Sequence, residues 1–153
     1  MSDIISIYTD GSCNPSANRG GWAAIIFMGE EKKIMNGYET DTTHQRMELT
    51  AVIKALEFLK VNNLLSAPVQ VYTDSQYLVR LPERKEKLEA SDYRTRKNRA
   101  LPNTDLIRQV IGYCALWPIT FIKVKAHQKL TGDENYNREA DMLSRKIVRG
   151  FEK

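Results

Sequence analysis

Two short segments of this sequence share a pattern that ends in an aspartate. Ile7–Asp10 and Val71–Asp74 read Ile-Tyr-Thr-Asp and Val-Tyr-Thr-Asp, and in each an apolar, β-rich run delivers the acid at its carboxyl end. If the two strands are parallel neighbours in a sheet, the two carboxylates lie side by side. Carboxylates that close repel each other unless one is protonated or a cation bridges them. Taken alone, either aspartate is more often a turn or helix-cap residue.

Two further acids lie on faces of predicted helices that are otherwise apolar. Glu48 stands one turn before Val52, on the face expected to meet the sheet, where an ionised carboxylate is costly unless it is paired or metal-bound. Arg46 is only two residues away and does not share that face. Asp141 has a matching place in the last helix. Four acids with no basic residue at their expected meeting point predict a hard, oxygen-ligated cation, Mg²⁺ or Mn²⁺.

The elements that must position these acids follow from hydrophobic periodicity and turn residues. We expect strands at residues 4–9, 21–28, 32–39, 69–73 and 119–125. The turn residues Asp10, Gly11 and Ser12 should end the first strand. We expect helices over residues 43–61, after Asp74 until Pro82 interrupts the helix, from about 104 to 116, and over 136–149.

The order of these elements is β, β, β, α, β, α, α, β, α. A hairpin edge followed by alternating units predicts an α/β fold whose five-stranded mixed sheet has three antiparallel strands, then parallel strands, with flanking helices. Ligands of such sheets bind beyond the carboxyl ends of the strands. No linker-like tract divides the 153 residues, so we expect a single domain over 1–153.

Composition excludes several classes of protein. Hydrophobic residues at 42% and charged residues at 27% are typical of ordinary globular chains. The apolar run at 22–28 is far shorter than the roughly 20 residues that cross a bilayer, so no membrane association is expected. The first residues lack the basic and apolar regions of a secretion signal, and we expect a cytoplasmic protein with free thiols at Cys13 and Cys114.

The positive charge is concentrated in one segment. Residues 80–99 contain eight Lys or Arg and four Asp or Glu, a difference of +4 that equals the net charge of the whole chain. This makes the segment a candidate phosphate-contacting patch. The alternative is a solvated helix held by pairs of side chains four residues apart.

Five motifs, in this order, resemble those of type 1 ribonuclease H: Tyr8–Ser12, Arg46–Leu49, Tyr72–Gln76, Lys125–His127 and Asn137–Asp141. Each motif alone is weak, but five in the right order and spacing, over residues 4 to about 145, are highly specific. The resemblance implies a ribonuclease H-like fold. It also implies endonucleolytic hydrolysis of the RNA strand in an RNA/DNA hybrid, leaving 3′-hydroxyl and 5′-phosphate ends.

The resemblance assigns roles to the acids and to a histidine. It implies two divalent ions with substrate, bridged by Asp10, with Glu48 and Asp74 completing one site and Asp141 the other. His127 would shuttle protons or assist product release, as its ordinary pKa of about 6.5 permits. The alternative for His127 is an exposed loop histidine without a role.

Substrate discrimination must come from reading 2′-hydroxyls on one strand only. The resemblance implies substrate contacts at Gly11, Ser12, Cys13, Asn14, Thr43, Gln45 and Gln76, and in a basic protrusion at about 80–101 that includes Arg84, Lys85 and Lys87. For Thr43 the alternative is simple helix capping. His44 and Gln45 stand where the family often has asparagines.

Two other departures from the family concern segments. The protrusion lacks the family's frequent tryptophans and contains four acids, which predicts weaker or differently distributed hybrid binding. The loop at 128–136 is long, and its Asp133 and Glu134 are either tuning residues for the metal site or solvated acids.

Two other functions stay open at this point. The first is a nuclease or transferase of the same broad fold that acts on DNA, which also needs clustered acids. The second is a non-catalytic hybrid-binding module, although such a module would be expected to have lost an acid. No obligate protein partner is expected, and the default is a monomer.

Overall fold

A computed structural model describes residues 4–64, 66–125 and 136–149 of the chain. Its strands are β1 (Ile5–Asn14), β2 (Arg19–Met28), β3 (Glu31–Thr40), β4 (Val69–Thr73) and β5 (Ile119–Lys123). Its α-helices are α1 (His44–Val61), α2 (Gln76–Arg80), α3 (Lys85–Ala90), α4 (Thr104–Leu116) and α5 (Tyr136–Arg149). Within these ranges, no helix is long and apolar enough to cross a membrane.

The five strands form one mixed sheet in the order β3-β2-β1-β4-β5. β1, β2 and β3 are antiparallel neighbours, whereas β4 pairs in parallel with both β1 and β5. This architecture confirms the predicted α/β fold class. It also confirms that the strands bearing the repeated Tyr-Thr-Asp pattern are parallel neighbours, with Tyr8 opposite Tyr72.

The predicted end of the first strand is wrong. Asp10, Gly11 and Ser12 do not form a turn, because β1 continues to Asn14 and pairs with β2 throughout, for example Asp10 with Ala23. The pairing of β1 with β4, in contrast, ends at Tyr8. Backbone pairing with the long strand β2 therefore overrides the local turn preference of these residues.

Helices cover both faces of the sheet. Successive strand residues point to opposite faces: Ile7 and Ile26 lie in the main core with α1 and α4, while Ala23 and Ile25 pack with Ala140 of α5. The interior of α1 is fully buried at Leu49, Val52, Leu56 and Leu59. Each such side chain stabilises the fold by about 1.5–3 kcal/mol, so α1 is held firmly against β1.

The start of α1 is fixed by a side-chain cap. Thr43 has extended backbone angles, and its hydroxyl accepts a hydrogen bond from the backbone N–H of Arg46, as a helix N-cap does. The Arg46 guanidinium then reaches Asn103 and Asp105 near the start of α4, at 3.0–3.2 Å. These bonds connect α1 to α4.

The basic segment contains the short helix α3, as the solvated-helix alternative for residues 80–99 predicts. After α2, a 3-10 turn begins at Pro82, as expected for a proline that interrupts a helix, and α3 follows. Leu88 and Tyr93 are buried at 3% and 6% exposure. These two side chains anchor the charged segment to the main core.

Candidate active site

Three acidic side chains converge where β1 and β4 separate. Asp10 lies on β1, Asp74 directly follows β4, and Glu48 is in the second turn of α1. One carboxylate oxygen from each lies within 4.8 Å of the other two. Asp10 and Glu48 are only 4% and 8% exposed, so the cluster is set into the protein rather than spread over its surface.

A glycine lets α1 approach β1 closely enough to form this cluster. A Cβ atom added at Gly11 would lie 2.5 Å from the backbone nitrogen of Glu48 and 2.6 Å from the carbonyl carbon of Met47. Both contacts are with backbone, which cannot rotate away. Glycine next to Asp10 is therefore the residue that brings Glu48 to the aspartates.

Asp141 of α5 lines the same cavity, of about 600 Å³, as the three clustered acids. It is not part of the trio whose oxygens lie within 4.8 Å, and Arg145 donates from Nε to its Oδ1 at 3.1 Å. Asp141 thus borders the cluster from the other side of the sheet.

Ser144 connects Asp10 to α5. Its buried hydroxyl lies 3.2 Å from Asp10 Oδ2, to which it donates, and 3.0 Å from the carbonyl oxygen of Asp141. The approach of α5 to β2 requires Gly21, where an added Cβ would meet the carbonyl oxygen of Ser144 at 2.7 Å. Sequence reasoning missed Ser144, although it follows Asp141 by three residues and so shares its helix face.

The electrostatics of the cluster show how poorly the three negative charges are compensated. Burial, followed by the charge of Asp74, raises the pKa of Asp10 from 3.8 to about 9. Burial also raises the pKa of Glu48, against the opposing effect of His44. Closely spaced, buried oxygen donors that resist ionisation without a counter-charge fit a hard divalent cation.

The expectation that no basic residue lies at the meeting point is wrong. His44 Nε2 is 3.3 Å from Glu48 Oε1, and Arg145 contacts Asp141. Both pairs have i,i+4 spacing on a helix, the spacing that brings side chains together, so the sequence contained the signal. Arg46, in contrast, pairs with Asp105 at 3.0 Å and not with Glu48.

The residues expected to contact substrate divide into two groups. Gly11, Ser12, Cys13 and Gln76 line the cavity of the acids. Three other residues do not line it, and each has a hydrogen-bond partner within the protein. Asn14 accepts from the backbone N–H of Ala17, Thr43 caps α1, and Gln45 accepts from Asn103 Nδ2 at 3.0 Å.

The basic protrusion combines features of both sequence interpretations. Lys85 pairs with Glu89 at 3.2 Å, four residues along α3, as the solvated-helix alternative predicts. Arg84 and Lys87, with Arg94 and Arg96, line a separate cavity of about 290 Å³. The Arg84 guanidinium also lies over the ring of Tyr77, at 5.9 Å. Tyr77 itself borders the acid cavity, so this cation lies near the site.

His127, Asp133 and Glu134 lie outside the described residues. The roles suggested for them therefore stay predictions.

Comparisons with known proteins agree with this fold. The family model for RNase H matches residues 2–149. A ribonuclease H of Chlorobaculum parvum is 34% identical over 151 residues, covering 97% of this chain and 98% of the relative. One of Acetivibrio thermocellus is 37% identical over 142 residues, covering 92% and 91%.

Solved structures show the same architecture. LC9-RNase H1, described as a type 1 RNase H with the type 2 active-site motif, superposes with a TM-score of 0.81 at 19% identity, covering 98% of this chain and 74% of that one. LC11-RNase H1 in complex with RNA/DNA hybrid has a TM-score of 0.69 at 20% identity, covering 97% and 99%.

A mixed sheet of this order, with acids gathered where β1 and β4 separate, defines the ribonuclease H-like class of fold. The chain belongs to the ribonuclease H family, a family of hydrolases that cleave RNA/DNA hybrids.

Proposed function

We propose that this protein is an endoribonuclease that hydrolyses the RNA strand of RNA/DNA hybrids with the help of divalent cations. The observation that carries the proposal is the trio Asp10, Glu48 and Asp74, whose oxygens lie within 4.8 Å of one another in a chain of the ribonuclease H family. The hybrid bound to LC11-RNase H1, a neighbour in fold, supports the choice of substrate.

The four carboxylates would hold the cations. In this proposal the four acids would hold two Mg²⁺ ions, with Mn²⁺ as the alternative. Asp10 would contribute to both sites, Glu48 and Asp74 would complete one, and Asp141 would belong to the other. Two bound cations would activate the attacking water and stabilise the leaving 3′-oxygen, giving 5′-phosphate and 3′-hydroxyl ends. The chain itself supplies a partly closed cavity that fixes the acids, with Ser144 holding the orientation of the Asp10 carboxylate.

His127 and the residues of the cavity wall would serve the substrate. We assign to His127 the transfer of a proton or the release of product. Gly11, Ser12, Cys13 and Gln76, which line the cavity, would meet the RNA strand.

Two sets of residues outside the cavity would contact the substrate elsewhere. Asn14, Thr43 and Gln45 would contact it from the neighbouring surface. The basic protrusion, with Arg84, Lys85 and Lys87, would bind phosphates, with an affinity that falls as salt rises.

The remaining parts of the proposal concern the protein as a whole. We propose a single domain over residues 1–153, active as a monomer in the cytoplasm. The chain covers 98% of the Chlorobaculum parvum relative, which supports the domain assignment.

A substrate panel tests the proposed function. An end-labelled RNA strand is annealed to DNA or to RNA, a DNA duplex is included, and each is incubated with Mg²⁺, Mn²⁺ or EDTA. We expect metal-dependent cleavage of the RNA in the hybrid only, with products that carry a phosphatase-sensitive 5′ end. Cleavage of duplex DNA would instead favour a DNA nuclease of the same fold. Hybrid binding without turnover in either metal would favour a binding module.

A further inference from the structure

Among the described residues that line the acid cavity, one is a histidine. His44 is the first residue of α1, one helical turn before Glu48, and it lines the cavity together with Asp10, Asp74 and Asp141. Its Nε2 lies 3.3 Å from Glu48 Oε1. The His44 side chain is 63% exposed and that of Glu48 is 10% exposed, so the pair spans from the opening of the cavity to its buried acids.

The separation of these two atoms suits shared coordination of an ion. Metal–ligand bonds of about 2.0–2.2 Å place two adjacent ligands about 2.8–3.1 Å apart around an octahedral ion and about 3.3–3.6 Å apart around a tetrahedral ion. The distance of 3.3 Å between His44 Nε2 and Glu48 Oε1 matches the tetrahedral separation. The two residues sit on consecutive turns of one well-buried helix, so coordination would demand little movement of the backbone.

Imidazole distinguishes between cations in a way that carboxylates do not. Mg²⁺ prefers oxygen ligands and keeps several waters, whereas Co²⁺, Ni²⁺ and Zn²⁺ bind imidazole well. We propose that His44 Nε2 is a ligand, together with Glu48, for a borderline transition ion such as Co²⁺ or Zn²⁺ at the acid cluster, and that Mg²⁺ binds there without it. This inference rests on the proposed function, because it assumes that the cluster binds divalent cations.

Two other possible metal ligands, His127 and Cys13, must be distinguished from His44. The chain has two histidines, and His127 lies outside the described residues. Cys13 also lines the cavity, but its thiol contacts the carbonyl oxygen of Thr42 at 3.6 Å, and burial raises its pKa. The thiolate that would bind a metal is therefore disfavoured at Cys13.

Co²⁺ is the most informative probe, because ring protons of a coordinated imidazole move far outside the normal range of a proton NMR spectrum. Spectra of the Co²⁺-loaded protein are compared for the wild type, His44→Gln, His127→Gln and Cys13→Ser. Glutamine at 44 can still donate a hydrogen bond to Glu48, so the variant removes the ligand without removing that interaction. Titration calorimetry with Co²⁺ and with Mg²⁺ measures both affinities for each protein.

We expect shifted imidazole signals in the wild type, in His127→Gln and in Cys13→Ser, and their loss in His44→Gln. The affinity of His44→Gln for Co²⁺ should fall about tenfold or more, while its affinity for Mg²⁺ changes less than twofold. Shifted signals that persist in His44→Gln, or equal losses of Co²⁺ and Mg²⁺ affinity, would overturn the inference. Wild-type protein that binds neither cation would instead remove the proposed metal site itself.

Discussion

Replacing Asp10 by asparagine should stabilise the protein when no divalent cation is present. Asp10 is 4% exposed, and burial together with the charge of Asp74 raises its pKa to about 9. Asparagine has nearly the same shape, and its side-chain oxygen can still accept the hydrogen bond from Ser144. The substitution thus removes an unfavourable ionisation and little else.

The size of this stabilisation and its pH dependence follow from the ionisation of Asp10 in the unfolded and the folded chain. In the unfolded chain Asp10 ionises near its ordinary pKa of 3.8, whereas in the folded protein it resists ionisation up to about pH 9. A raised pKa in the folded state favours folding below pH 4, and this advantage is lost as pH rises towards 9. At pH 7 the gain in unfolding free energy of Asp10→Asn over the wild type approaches an upper limit of about 4 kcal/mol, at roughly 1.4 kcal/mol per pKa unit. Relaxation of the cluster reduces this gain, and we expect about 2–4 kcal/mol, or an increase in Tm of about 5–15 °C.

Urea and thermal unfolding in EDTA, at several pH values between 4 and 8.5, measure this effect. Asp105→Asn is the matched control, because it makes the same carboxyl-to-amide change at an exposed carboxylate whose pKa Arg46 lowers. The control should lose less than about 1 kcal/mol of stability. If Asp10→Asn is no more stable than the wild type at pH 7, or if its advantage does not shrink towards pH 4, the electrostatic account of the cluster is wrong.

Three further predictions follow from contacts around the site. Mg²⁺ should raise the Tm of the wild type by several degrees, because it binds the folded state, and should raise the Tm of Asp10→Asn much less. Equal shifts of the two Tm values in thermal scans would argue against the cluster as the binding site. Gly11→Ala should lower the free energy of unfolding by about 1–3 kcal/mol and lower kcat at least tenfold, because it displaces α1. Gly112→Ala, where nothing lies within 4 Å of the new Cβ, should be harmless in the same unfolding and activity assays. A harmless Gly11→Ala would contradict the close approach of α1 to β1. Arg46→Met should lose about 1 kcal/mol through its bonds to Asn103 and Asp105, and an unchanged urea midpoint would refute that link.

The sequence predicted the parts of the fold that depend on long-range hydrophobic pattern. The mixed character of the sheet and the long helix α1 followed from periodicity and turn residues, because burial on one face imposes a readable spacing. The parallel pairing of the two Tyr-Thr-Asp segments was a condition of the predicted acid cluster, and the register of the sheet confirms it. The position of Asp10 within a strand did not follow. Gly11 and Ser12 have strong turn preferences, and only the pairing with β2 reveals that the strand continues.

The active site, like the fold, has features that follow from the sequence pattern and features that only the three-dimensional contacts reveal. The proximity of Asp10, Glu48 and Asp74 could be inferred from the faces on which they lie. The hydrogen bond of Ser144 to Asp10 was not predicted, although Ser144 shares a helix face with Asp141. The contact of His44 with Glu48 was predictable from their i,i+4 spacing. Asn14 and Thr43 make local hydrogen bonds, and Gln45 bonds to the distant Asn103. Sequence motifs cannot distinguish residues with such structural roles from residues that contact substrate.

The most direct test of the central claim is a single-turnover measurement of RNA cleavage in an RNA/DNA hybrid with Mg²⁺, comparing the wild type, Asp10→Asn and Asp105→Asn. The proposed role of the acid cluster predicts that Asp10→Asn retains its fold and hybrid binding, but that its cleavage rate falls at least a thousandfold. This fall corresponds to an increase of about 4 kcal/mol in the activation barrier. Asp105→Asn should cleave at close to the wild-type rate. Cleavage by Asp10→Asn within tenfold of the wild type would contradict it.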